Sequence, residues 1–180
     1  MISNKNYYTF DPKFLKAAVY GANDGIVTTF AVVAGVAGAQ LSPNIVLILG
    51  IANMVADGLS MAVGDFLGER SEHRLREHQT GKNIPDGLWK TGAITFIAFV
   101  LAGSMPLLPY LVALFGMPMD LSQQFPLSIF STAATLFGVG SLRTIATKGV
   151  WWKNGLEMLG IGAIAAVVAY ALGASVEKLL

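Results

Sequence analysis

The sequence predicts an all-α membrane protein with five transmembrane helices, and three observations carry that expectation. Of its 180 residues, 54% are hydrophobic and 13% charged, where a soluble domain has roughly 25% charged. The apolar residues gather into five runs, each near or beyond the ~20 residues that a crossing helix needs. The cations are confined to alternate connections between those runs. One transmembrane domain over residues 1–180 is expected, with helices near 12–39, 44–78, 88–115, 125–147 and 154–176.

Asp11-Pro12 reads as the start of the first helix, with Asp as N-cap and Pro at the first helical position. Lys13 and Lys16 lead into an apolar span from about Ala17 to Ala39, with Asp24 roughly two turns past the basic end. Ser42-Pro43 repeats the start signal, so a short hairpin joins the second span, NIVLILGIANMVADGLSMAVGDFLGE. Beyond Arg70 the chain turns polar and reads as a helical extension with a Glu72–Arg76 pair, broken by Gly81 and by Pro85-Asp86-Gly87. In the third span Pro106 and Pro109 should kink the helix or end it near Ser104, with an irregular or re-entrant remainder. A loop over 116–124 leads to the fourth span from about Phe125 to Ala146, and KGVWWKN leads to the fifth from Gly155 to Ser175.

Five crossings with a cytoplasmic N-terminus place eleven of the twelve Lys and Arg on the inner face, leaving only Lys178 outside. An even number of crossings would lose this asymmetry. Trp89, Trp151 and Trp152 fit the interfacial belt. With no Cys there are neither disulfides nor thiolate metal sites. The N-terminus lacks the layout of a cleaved signal peptide. The net charge of +1 carries no signal for nucleic acid, and none is expected as a partner. Compactness without a targeting signal points to a bacterial inner membrane. Gly21/Gly25 and Gly64/Gly68 are GxxxG pairs, which let helices approach closely in lipid, and they place a site between the first two helices. Glycine is also simply common in apolar helices.

That site is built on acids. In the second span Asp57, Met61, Asp65 and Glu69 recur every four residues on one stripe, with Met54 a turn before Asp57, and no Lys or Arg lies within the run. A carboxylate at membrane depth costs about 2.5–3.5 kcal/mol on insertion scales, so each needs a proton or a bound cation. If Ala17 and Glu69 mark the same boundary of antiparallel helices, Asp24 lies level with Ala62 and beside Met61. Asp57 is then about a turn deeper, Met54 near the middle, Asp65 a turn nearer the cytoplasm and Glu69 at the mouth. One Asp and one Met cannot saturate a divalent cation. A twofold homodimer would double the set. Mixed oxygen and thioether donors favour Fe²⁺, Co²⁺ or Zn²⁺ over alkaline-earth ions.

Blander readings stand beside these. A Met in an apolar helix usually fills the core, and Asp57 or Asp65 could each serve as a structural carboxylate bonded to another helix. His73, His78, Glu72 and Glu77 could collect metal or merely form a solvated, mixed-charge face. Glu157 could line the inner mouth or favour its helix N-terminus electrostatically.

The first helix, YGANDGIVTTFAVVAGVAGA, and the second, IANMVADGLSMAVGDFLGERSE, closely resemble the vacuolar iron transporter family, and NGLEMLGIGAIAAVVAYALG resembles that family's last span. The resemblance covers nearly the whole chain. It implies a five-helix dimer that is no enzyme and holds no permanent cofactor, exporting Fe²⁺, and often Mn²⁺, from the cytosol in exchange for protons. It also maps the family's membrane site, an Asp of the first helix with a Met of the second, onto Asp24 and Met61. The chain departs from the longer members in lacking their three-helix cytoplasmic domain between the second and third spans. Only about twenty residues fill that gap, which bears on metal sensing and metal preference. The expected route runs past Glu69, Glu72 and Glu157, then Asp65, to Asp24 and Met61 at the dimer interface, with protons exchanged on Asp24 and Asp57. A non-transporting membrane scaffold and a proton-independent cation channel are the alternatives.

Overall fold

A computed structural model describes residues 12–81, 87–116, 119–147 and 149–179, and these are all helix and short connection, with no strand among them. The helices are α1 (Pro12–Gly38), α2 (Pro43–Thr80), α3 (Trp89–Gly103), a 3₁₀ turn (Met105–Leu107), α4 (Leu108–Leu114), α5 (Leu121–Leu142), the single turn α6 (Thr144–Thr147) and α7 (Trp151–Glu177). Five segments are long and apolar enough to cross a membrane: α1, α2, Trp89–Leu114, Ser122–Leu142 and α7. Lys82, Pro85, Asp86 and Lys148, and the Asp11 cap with the segment before it, lie outside the described residues.

The bundle is organised around α1, which packs on α2, α3, α5 and α7. Its glycines make this possible. Gly21 and Gly25 lie so close to the α3 backbone at Thr95 and Phe99 that a Cβ would collide with it. Gly38 does the same against α7 at Tyr170, and Gly173 of α7 against Gly35. Close backbone approach of this kind holds helices together in lipid, where apolar side chains gain little by turning inward. Phe30, Val33, Val36, Val46, Leu107 and Tyr110 fill one half of the core, and Ile26, Leu136 and Met158 join α1, α5 and α7. The outer faces are apolar and exposed, α7 most of all, as expected of surfaces solvated by acyl chains.

Three boundaries differ from those expected. The third span does end its regular helix at Gly103, beside Ser104, but the segment after it is regular too. The chain makes a 3₁₀ turn through Pro106 and resumes as α4, with Pro109 in its first turn. Around the break α5 supplies hydroxyl donors to the backbone, the Met105 carbonyl also accepting from the Leu108 N–H. Ser128 Oγ donates to the Pro106 carbonyl at 2.6 Å and Ser131 Oγ to that of Met105 at 2.9 Å. The fourth span starts at Leu121, so Pro126 sits inside it rather than near its start. The fifth begins at Trp151, where the Trp ring packs edge-on against Phe137 of α5. Pro43 stands in the first turn of α2 as expected, although Ser42 makes no side-chain capping bond. At the other end Gly81 closes α2 in the left-handed conformation, φ 67°.

Candidate functional site

Along the inward face of α2, Met54 is buried, while Asn53, Asp57, Met61, Asp65 and Glu69 are half-buried. The opposite face, with Val55, Leu59, Val63 and Leu67, is exposed. The acids therefore share the stripe that their spacing demands, but each has its own surroundings.

Asp24, half-buried on α1, lies close enough to Asp57 for the two carboxylates to repel one another. Asn53 Nδ2, one turn along α2, donates to Asp57 Oδ2 at 2.7 Å and orients it. Thr28 bonds the Asp24 backbone carbonyl at 2.8 Å, not its side chain. Among the described residues nothing donates a hydrogen bond to the Asp24 carboxylate, and no three His, Asp or Glu side chains converge as a metal-binding group. Half-buried acids in neighbouring apolar helices, one of them without a hydrogen-bond donor among the described residues, can take up protons or bind a cation.

Asp65 and Glu69 turn to α3. Thr95 Oγ1 donates to Asp65 Oδ2 at 2.8 Å, and Thr91 Oγ1 bonds Glu69 Oε2. The other oxygen of Glu69 meets Lys13 Nζ at 3.3 Å and His73 Nε2 at 3.9 Å. The Lys13 contact places the start of α1 beside Glu69, so the two helices run antiparallel as expected, although Ala17 and not Lys13 was the residue expected at that level. Glu72 points away and is paired on the exposed surface with Arg76 at 2.5 Å. Glu157 is exposed on α7, where Arg143, just past the end of α5, lies 3.7 Å from it. Within one chain its partner is therefore Arg143 and not a member of the α2 stripe. His78 is exposed and Glu77 half-buried in the last turns of α2.

Sequence reasoning missed three polar partners: Asn53, Thr91 and Thr95. A signal for the threonines was present, since they are four apart on α3 just as Asp65 and Glu69 are on α2. It also set the small-residue contact on the wrong pair of helices. Gly21 and Gly25 pack on α3, not α2, and among the described residues nothing beyond the adjoining helix lies within 4 Å of a Cβ placed at Gly64 or Gly68. The spacing was right, but GxxxG does not name its partner.

These features define a class: a multi-pass helical membrane protein whose first two long apolar helices pack together and carry acids. The VIT family model matches residues 15–85 and 78–174, and the chain belongs to that family. The two matches overlap at residues 78–85. Among similar curated proteins, the vacuolar iron transporter of Toxoplasma gondii is 38% identical over 88 residues, covering 46% of this chain and 29% of that protein. That of Plasmodium berghei is 22% identical, covering 93% of this chain and 84% of its own length. Vacuolar iron transporter homolog 1 of Arabidopsis thaliana is 27% identical, covering 92% and 84%.

Proposed function

We propose that this chain is a membrane transporter, not an enzyme, which exports divalent metal from the cytosol in exchange for protons. Fe²⁺ is the principal cargo and Mn²⁺ a second. The reading is carried by one observation: half-buried carboxylates lie within the first two long apolar helices, Asp57 on the α2 face that also bears Met61 and Asp65, and Asp24 on α1 with no hydrogen-bond donor among the described residues. Relatives named vacuolar iron transporter support the metal. Carboxylate oxygens of Asp24, Asp57 and Asp65 with the Met61 thioether, and Met54 deeper in, suit a borderline cation. A twofold homodimer supplies the ligands that one chain lacks, which accords with the absence of a converging triad among the described residues. The cation asymmetry favours a cytoplasmic N-terminus and an opposite C-terminus. Metal then enters past Glu69 and Glu72, and past Glu157 on the α7 side. A compact chain of this kind fits a bacterial inner membrane.

The test is metal-dependent proton flux in liposomes with Fe²⁺, Mn²⁺ and Zn²⁺ at two pH values. Asp24→Ala or Met61→Ala is expected to abolish flux while the dimer persists, and unchanged flux in either variant refutes the site. Metal flux that ignores the proton gradient identifies a channel. Protection of a metal-sensitive cell that disappears in Asp57→Asn excludes a scaffold.

A further inference from the structure

Between α2 and α3 the two acids nearest the cytoplasmic end of the stripe are matched rung for rung with hydroxyls. Asp65 and Glu69 stand one helical turn apart on α2; Thr95 and Thr91 stand one turn apart on the antiparallel α3. Thr95 is fully buried and Thr91 nearly so, at 0% and 4% exposure. Neither hydroxyl is there to be solvated. Where Gly21 of α1 presses on the Thr95 carbonyl, no space remains for a side chain. The Thr95 hydroxyl is thus enclosed between three helices, with Asp65 as its hydrogen-bond partner.

We propose that Thr95, assisted by Thr91, is a positioning residue for transport: it holds Asp65 against α3 so that the second oxygen, Oδ1, stays presented to arriving metal. The inference rests on the transport reading above and adds α3 as one wall of the route. A carboxylate accepts at two oxygens, and one hydroxyl occupies only part of that capacity. With Oδ2 bonded, the side chain is confined to one orientation, and metal binding need not order it. Thr91 does the same for Glu69, whose other oxygen faces Lys13 and His73. The Thr91 hydroxyl also lies 2.8 Å from the Leu88 carbonyl. Its single proton must therefore be shared between two acceptors, which makes this the weaker rung and Thr95 the one to test.

Thr95→Val keeps the shape and removes the hydroxyl, while Thr95→Ser keeps the hydroxyl. In liposomes loaded with the full-length chain, Thr95→Val is expected to raise the KM for Fe²⁺ about tenfold, the factor typical of a lost hydrogen bond to a charged group, with kcat little changed. Thr95→Ser should restore it. A purely structural hydroxyl would lower the amount of folded protein without this split. An unchanged or lowered KM in Thr95→Val overturns the proposal. A second measurement stands apart from transport: the rate at which dicyclohexylcarbodiimide modifies Asp65, read by mass spectrometry of its peptide. That rate is expected to rise severalfold in Thr95→Val and return in Thr95→Ser. If the parent chain moves no metal, the transport reading fails, and the labelling rates still decide whether Thr95 holds Asp65. Equal labelling in parent and Thr95→Val overturns it.

Discussion

Gly21 and Gly25 on α1 press against the backbone of α3, whereas Gly64 and Gly68, with the same spacing on α2, face open space. The neighbours of the second pair are the exposed Val63 and Leu67, and the two glycines precede Asp65 and Glu69 by one position each. At about 100° per residue, that puts an uncovered small-residue stripe beside the acid stripe. Within one protein the motif therefore does two different things. In α1 it brings two backbones together and makes the seam that the bundle is built on. In α2 it leaves a shallow strip beside the acids.

The comparison breaks or holds on paired substitutions. The largest effect is expected for Gly25→Leu. A side chain there would enter the space of the Phe99 backbone, which cannot move aside as a side-chain tip can. We expect a loss of about 3 kcal/mol or more and little folded protein, measured by thermal unfolding in detergent with size-exclusion chromatography. A Cβ at Gly64 meets no described residue outside its own helix, so the unfolding midpoint of Gly64→Leu should stay near that of the parent. If the open stripe lies in the dimer contact, the same variant shifts the protein from dimer to monomer on cross-linking. A fall in Gly64→Leu stability as large as that in Gly25→Leu would show that the two pairs do not differ as described.

The contrast also explains what could be read without coordinates. The five spans were legible because their apolar length is a local property, and so were Asp24, Asp57, Asp65 and Glu69, because acids in such runs stand out one by one. The i, i+4 stripe held because helical periodicity alone sets it. What failed was partnership. Which helix receives Gly21, and which acid Thr95 reaches, depends on how five helices surround α1, and no local pattern encodes that. The course beyond Ser104 failed for a related reason: the carbonyls near Pro106 and Pro109 find Ser128 and Ser131 more than twenty residues away in sequence. That bond carries a smaller prediction. Ser131→Ala should cost about 1 kcal/mol, one net hydrogen bond, in the same unfolding measurement. No change would mean that the Leu108 N–H alone suffices for the Met105 carbonyl.

The smallest effect separates two acids that the sequence placed together at the inner mouth. Glu69 is half-buried, with its side chain 14% exposed, and is held by Lys13, His73 and Thr91 from three helices. Glu72, just under one turn on, has a side chain 60% exposed, and its partner Arg76 lies on its own helix. An exposed i, i+4 pair contributes only about 0.3–0.5 kcal/mol and is screened by salt. Glu72→Ala should therefore leave the unfolding midpoint almost unmoved. Glu69→Gln removes the charge that Lys13 and His73 face across α1 and α2, and its effect should be clearly larger. Equal effects of the two substitutions would mean that α3 does not hold Glu69. The inner mouth would then be a solvated run of charges rather than the end of a built stripe.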